Sequence, residues 1–315
     1  MNTASKTFPK GLLAFEMSVL RRQKFSSVSI PLSPDTALPA YLKRCGVKVA
    51  ANDRLRSSAA AGYARIVNNS HLLSDDEVGV VLDDAYVPGY KLENPSLLNW
   101  FREPDAWWFD NVRRNIDNLA SPVSRAIAAN LAIGAGRYAL SFSEETRQFR
   151  RPLSVAFRRL WSIEPEPFDN GSTNIFRSDT AEDFLADTAV IENFNELLFL
   201  RLPEPHTHSI RESLAASAWE EEWMQGRDDL WNDLELRYQG TFGGATATKS
   251  HYLSMLGRLL EVASNIRTWA IAHMETGFIS ADDIVEAVGK HRRVDTLYTK
   301  DLTELTGTKA VIVTA

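Results

Sequence analysis

The stretch Glu196-Leu-Leu-Phe-Leu-Arg-Leu-Pro-Glu-Pro205 decides how the rest of the chain is read. Leu197–Arg201 opens with an unbroken apolar run and is closed by Pro203 and Pro205, which cannot donate to a strand ladder. A short apolar run of this kind is predicted to be a strand buried on both faces, the mark of a mostly parallel sheet. In such sheets the ligand crevice lies just beyond the carboxyl ends of the strands. Arg201–His208 is therefore expected to line it.

Upstream, Ser27–Leu32 and Val47–Ala51 read as the first two strands. Between them a helix, Asp35–Cys45, stops at Gly46, a residue that tolerates positive φ. Gly11–Gln23 and the alanine-rich Arg54–Asn68 are helical patterns, and Ser74 with Glu77 forms a capping box that opens a short helix. Strand, helix, strand, helix at this spacing predicts an α/β fold: a Rossmann-like, doubly wound, mostly parallel sheet. From Asp83 the strands disappear. Asp105–Leu119, Val123–Ser141 and Pro152–Trp161 are three helical patterns, the second with Pro122 at its start. Residues 83–170 thus read as a helical insert between the two parts, 1–82 and 171–315, of one α/β domain. Downstream come a strand at Asn174–Arg177, a helix at Ala181–Leu185 and the opening strand. Glu212–Gly240 is polar and aromatic-rich with no assigned element. A helix at Ser250–Asn265, a strand at Thr268–His273, a helix capped by Ser280 and strands at Val294–Tyr298 and Ala310–Thr314 complete the reading.

Composition narrows the class of function. The 315 residues are 44% hydrophobic and 24% charged, ordinary for a folded water-soluble protein. No apolar run approaches the roughly 20 residues that span a bilayer. Met1–Lys10 is polar and lacks the apolar centre of a secretory leader, and one cysteine, Cys45, cannot form an internal disulfide. A cytoplasmic protein with no membrane partner is expected. The net charge of -6 gives no global attraction to nucleic acid, so any DNA contact must come from a local patch.

Several stretches, in this order, resemble the Dam-type adenine-specific DNA methyltransferases, class I enzymes that use S-adenosylmethionine. Val47-Lys-Val-Ala-Ala-Asn-Asp53 is similar to the family's second strand with its terminal Asn-Asp. Trp107–Leu119 followed by an alanine-rich helix is similar to its helical segment. Arg177-Ser-Asp-Thr-Ala-Glu-Asp-Phe-Leu185 resembles the acidic stretch before its catalytic strand, and Trp269–Ser280 resembles part of its C-terminal third. The resemblance implies that Asp53 would bind the cofactor ribose and that Asp179 would lie near its adenine.

Two motifs depart from the family. Its cofactor turn needs residues without Cβ and free backbone N–H groups at a helix start. Here the corresponding Ile30-Pro-Leu-Ser-Pro-Asp-Thr-Ala37 has no glycine, Pro31 and Pro34 each lack a donor, and Asp35 brings a negative charge. Ser33 or Asp35 is expected to cap the following helix instead. At the end of the opening strand the family carries Asp-Pro-Pro-Tyr, whose acid and a backbone carbonyl accept from the flipped adenine amine while the ring stacks on the base. This chain has Arg201-Leu202-Pro203-Glu204: Arg201 cannot accept, and Glu204 has no ring. No catalytic residue is therefore assigned. S-adenosylmethionine is expected only if the site still functions.

Outside these motifs, Arg147, Arg150, Arg151, Arg158 and Arg159 form a basic cluster on the insert, which would contact DNA phosphates if the side chains share a face. The alternative is a solvated face paired with Glu144, Glu145 and Glu164/Glu166. Lys290, Arg292 and Arg293 are a second basic group, which precedes a strand and reads as surface solubility. Trp219 and Trp223 share a helical face, with Trp231 near them in an acidic segment, Glu220–Glu222, Asp228 and Asp229. They read either as core or as an exposed aromatic patch for a partner protein. His206 and His208 lack the spacing of a metal site. The leading expectation is a methyltransferase-like protein without transfer activity. It would act as a subunit that binds double-stranded DNA, a protein partner such as an active methyltransferase or nuclease, or both, in DNA modification, restriction or defence. The rivals are an active adenine methyltransferase with an atypical site and a purely structural interaction subunit.

Overall fold

The computed structural model describes residues 11–315 except Asp228 and Thr276; the polar stretch Met1–Lys10 lies outside them. One seven-stranded sheet organises the chain: β1 (Ser27–Ile30), β2 (Lys48–Asn52), β3 (Ile175–Arg177), β4 (Leu197–Arg201), β5 (Thr268–Met274), β6 (Thr296–Asp301) and β7 (Lys309–Thr314). All seven match strands expected from the sequence to within a few residues at their ends. Their spatial order is β3-β2-β1-β4-β5-β7-β6. The first five are parallel, and β7 inserts antiparallel between β5 and β6. The fold is a mixed α/β, Rossmann-like one.

The helices in chain order are α1 (Leu12–Leu20), α2 (Ala37–Arg44), α3 (Arg56–Gly62, continued by a π-helical turn Tyr63–Val67), α4 (Asp75–Leu82), α5 (Glu103–Asp117), α6 (Pro122–Leu140), α7 (Leu153–Ser162), α8 (Ala181–Ala186), α9 (Thr188–Asn193), α10 (Ile210–Leu214), α11 (Ala218–Gln225), α12 (Leu230–Tyr238), α13 (Lys249–Val262), α14 (Ala281–Gly289) and α15 (Thr303–Thr306). Ser74 and Ser280 cap α4 and α14 with the reciprocal bonds their sequences predict. None of the described helices is long and apolar enough to cross a membrane.

The period-2 alternation of β4 divides the core. Leu197 and Phe199 face the side covered by α1 and α2, with Leu38, Leu42, Val49 and Ile312. Leu198 and Leu200 face the other side, covered by α8, α13 and α14, with Phe184, Leu256, Leu260 and Ile284. A third core belongs to α3–α7. It also takes in Trp219 and Trp223 of α11, which are 1% exposed. Phe109 meets Phe101 at 4.4 Å and Trp219 at 5.3 Å between ring centroids, and the Trp223 indole donates to the Phe109 carbonyl at 2.9 Å. These tryptophans are core, not a partner-facing patch. The polar Glu212–Gly240 segment, given no element from the sequence beyond a helical face for Trp219 and Trp223, holds most of α10 and all of α11 and α12.

Candidate functional site

At the carboxyl end of β4, the Arg201 backbone is fixed by pairing with Ala272 and by the Leu202 N–H donating to the Ala272 carbonyl at 2.8 Å. Its guanidinium is held between two carboxylates of the chain. Nε and Nη2 donate to the two carboxylate oxygens of Glu16 on α1, each at 2.8 Å. Nη1 donates to Asp35 Oδ2 at 2.7 Å. Glu16 is fully buried and the Arg201 side chain is 12% exposed. This is the planar fork geometry in which arginine pairs best with carboxylates. Burial lowers the tendency of Arg201 to stay charged, but the Glu16 and Asp35 bonds outweigh it and raise its pKa. Burial pushes the Glu16 carboxyl above its ordinary range, and Arg201 offsets that only in part.

The same three groups close the turn after β1. Asp35 Oδ1 accepts from the Ala37 N–H at 2.8 Å, so Asp35 caps the start of α2 while its other oxygen holds Arg201. Ser33 Oγ donates to the Asp35 carbonyl at 2.8 Å. Buried Asn52, the last residue of β2, laces the neighbouring loops. Its side-chain nitrogen donates to the Pro31 and Asp179 carbonyls at 3.0 and 3.1 Å, and its oxygen accepts from the Asp179 N–H at 2.9 Å. On the ledge itself the Pro203 carbonyl already accepts from the Tyr252 hydroxyl at 2.8 Å. Glu204 is exposed.

The corner of the crevice where Asp53 lies is occupied by the chain's own side chains. Asp53 is buried, and its Oδ1 accepts from the Leu55 N–H at 3.0 Å. Burial, opposed by that bond, pushes its carboxyl up to about 6. Beside it Arg54 lies 4.2 Å from the Tyr238 ring centroid, reaches the Phe242 carbonyl at 3.4 Å and stands 3.7 Å from Glu182. Burial lowers the Arg54 pKa and raises that of Tyr238. Asp179 shares the Asn52 bridge through its backbone, but its side chain is exposed. The two acids are thus neighbours by backbone and differ in environment.

Neither a protein-family model nor a curated protein matches the chain.

The insert's arginines split into two groups. Arg150 Nη2 bonds both oxygens of Asp105 at 2.9 and 2.8 Å, which ties it to the start of α5, and Arg147 lies 4.0 Å from Glu144. Arg151, Arg158 and Arg159 are exposed, and among the described residues they form no ion pair. Phe149, two residues before Arg151, is 70% exposed. His206 Nδ1 meets the His208 carbonyl at 3.1 Å, and no three His, Cys, Asp or Glu side chains converge as metal ligands among the described residues.

Sequence reasoning missed Glu16 and the glutamate triplet. Glu220 pairs with Arg137 through two bonds of 2.7 Å. Glu221 accepts from the Arg56 and Ser57 N–H groups at the start of α3, both at 3.0 Å. Glu222 accepts from the Trp100 and Trp231 indoles at 2.8 and 3.0 Å. The signal for Glu16 was present: it is the lone charge in the apolar run Leu12–Leu20.

Proposed function

We propose that this chain is a methyltransferase-like protein that has exchanged methyl transfer for binding, and that it contacts duplex DNA through the helical insert. The observation that carries the reading is the Arg201–Glu16–Asp35 cluster. An adenine amine needs an acceptor oxygen where Arg201 presents only N–H groups, and its Nε, Nη1 and Nη2 all donate to internal carboxylates. The methionine end of a cofactor would have to displace Asp35 from both α2 and Arg201. Asp53 and Asp179 remain as residues that would hold a cofactor's nucleoside, but Arg54 and Tyr238 already share that corner.

The seven-strand order, with one reversed strand between the fifth and sixth, supports a methyltransferase-type sheet. Arg151, Arg158 and Arg159, exposed and outside any described ion pair, support a phosphate-binding face on a chain whose net charge is -6. Such a face positions a duplex without reading its sequence. A companion role beside an active methyltransferase or nuclease in a DNA modification or defence system, in the cytoplasm, fits a chain that keeps the sheet without the transfer site.

A gel shift on duplex DNA at increasing salt tests the binding face. Replacing Arg151, Arg158 and Arg159 by Ala should weaken binding at every sequence. The slope of log K against log salt should become shallower by about 3, near 0.9 for each phosphate that is no longer neutralised. Equal binding by wild type and the triple variant would remove the insert from the interface.

A further inference from the structure

An open concavity lies at the other end of the sheet. A cleft of about 550 Å³ lies where β5 begins and β7 ends, within the size range of sites for small organic ligands. Its floor is a stack: the Arg292 guanidinium lies 3.7 Å from the ring centroid of fully buried Trp269. Arg292 is held flat there by two donations, from Nη1 to the Arg267 carbonyl and from Nη2 to the Ser264 carbonyl, each at 3.0 Å. Those bonds use two of its five N–H groups, and Arg292 itself lines the cleft. Burial lowers the Arg292 pKa.

Arg267 and Arg293 stand exposed on the walls, and neither forms an ion pair among the described residues. Glu261 and Asp295 also line the cleft and are likewise outside any described ion pair. Three guanidiniums, one stacked on an indole, are thus gathered with two carboxylates, and Glu196 lies within electrostatic reach of Arg267.

From this geometry we infer a binding site for a nucleoside diphosphate. The base stacks on the outer face of Arg292, as guanidinium planes stack on nucleobases. Arg267 and Arg293 take the diphosphate. Glu261 and Asp295 accept from the ribose hydroxyls, which a bare polyanion lacks. The inference is independent of the function proposed above, because the site lies at the opposite end of the sheet from Arg201.

Isothermal titration with ADP, adenosine and pyrophosphate on the full chain at low salt tests it. ADP should bind saturably and at least fivefold more tightly than either half-ligand. Arg267→Glu with Arg293→Glu, both on exposed side chains, should weaken ADP at least tenfold without changing the melting temperature. Arg292→Lys keeps the charge and loses the plane, so it should remove ADP's advantage over pyrophosphate. No saturable ADP binding, equal affinity for pyrophosphate and ADP, or unchanged binding by the double variant would each overturn the assignment.

Discussion

Replacing Arg201 by Met removes the centre of the crevice cluster and leaves Glu16, with no exposed surface, without its two charged bonds. Removing one partner of a buried pair costs about 3–5 kcal/mol, a large share of the 5–15 kcal/mol typical of a folded domain. With an m-value of about 3 kcal/mol/M for a chain of this size, the urea midpoint should fall by roughly 1–1.7 M. The pH dependence has a definite sign. Glu16 already carries a raised pKa, and losing Arg201 raises it further. The folded state then holds a proton that the unfolded state releases. Its contribution is fully present below the ordinary carboxylate pKa and is lost as pH rises through the folded value. The Arg201→Met deficit should therefore shrink between pH 8 and pH 5. Replacing both residues by Met, a swap of a buried pair for apolar groups, should recover most of the loss. A deficit below about 1 kcal/mol for the single variant, against the 3–5 expected of a broken buried pair, would refute the reasoning. So would a double variant no more stable than the single.

Two further predictions concern the interior. Asp53, buried with its pKa raised from 3.8 to about 6, contributes stability that is present below pH 4 and fades as pH rises through 6. That shift corresponds to about 3 kcal/mol, so Asp53→Asn should flatten the fall in urea stability between pH 4 and 7, and an unchanged slope would contradict it. Gly136, midway along α6, leaves no room for a side chain: an added Cβ would sit 2.2 Å from Trp219 and 2.9 Å from Phe109. Gly136→Ala should gain about 1 kcal/mol of helix propensity and still lose about 2 kcal/mol net to overpacking; a higher melting temperature would show that α6 and α11 pack less tightly than described.

The sheet was legible because its strands are short apolar runs bounded by turns, and β4 with its closing prolines is the plainest of them. The starts of α4 and α14 were readable because Ser74 and Ser280 stand three residues before an acid, whereas Ser209 with Glu212, which opens α10 in the same way, went unread. What stayed hidden depends on pairing across the chain. Arg201 could be read as a donor in the wrong place, but its partners lie 185 and 166 residues away. Glu220–Glu222 read as the acidic flank of Trp219 and Trp223, with no partner assigned to any of the three. Each glutamate there is matched by a distant cation, helix start or indole, which no local pattern encodes. Trp219 and Trp223 carried the right spacing for a buried stripe. Only their packing on Phe109 separates core from surface.

We infer that the Arg201–Glu16–Asp35 cluster closes the end of β4 to a methyl donor. Titration calorimetry with S-adenosylmethionine, run beside a count of labelled methyl groups transferred to adenine in duplex DNA, tests it most directly. Neither saturable heat nor incorporated label is expected. Micromolar binding accompanied by methylated adenine would contradict it.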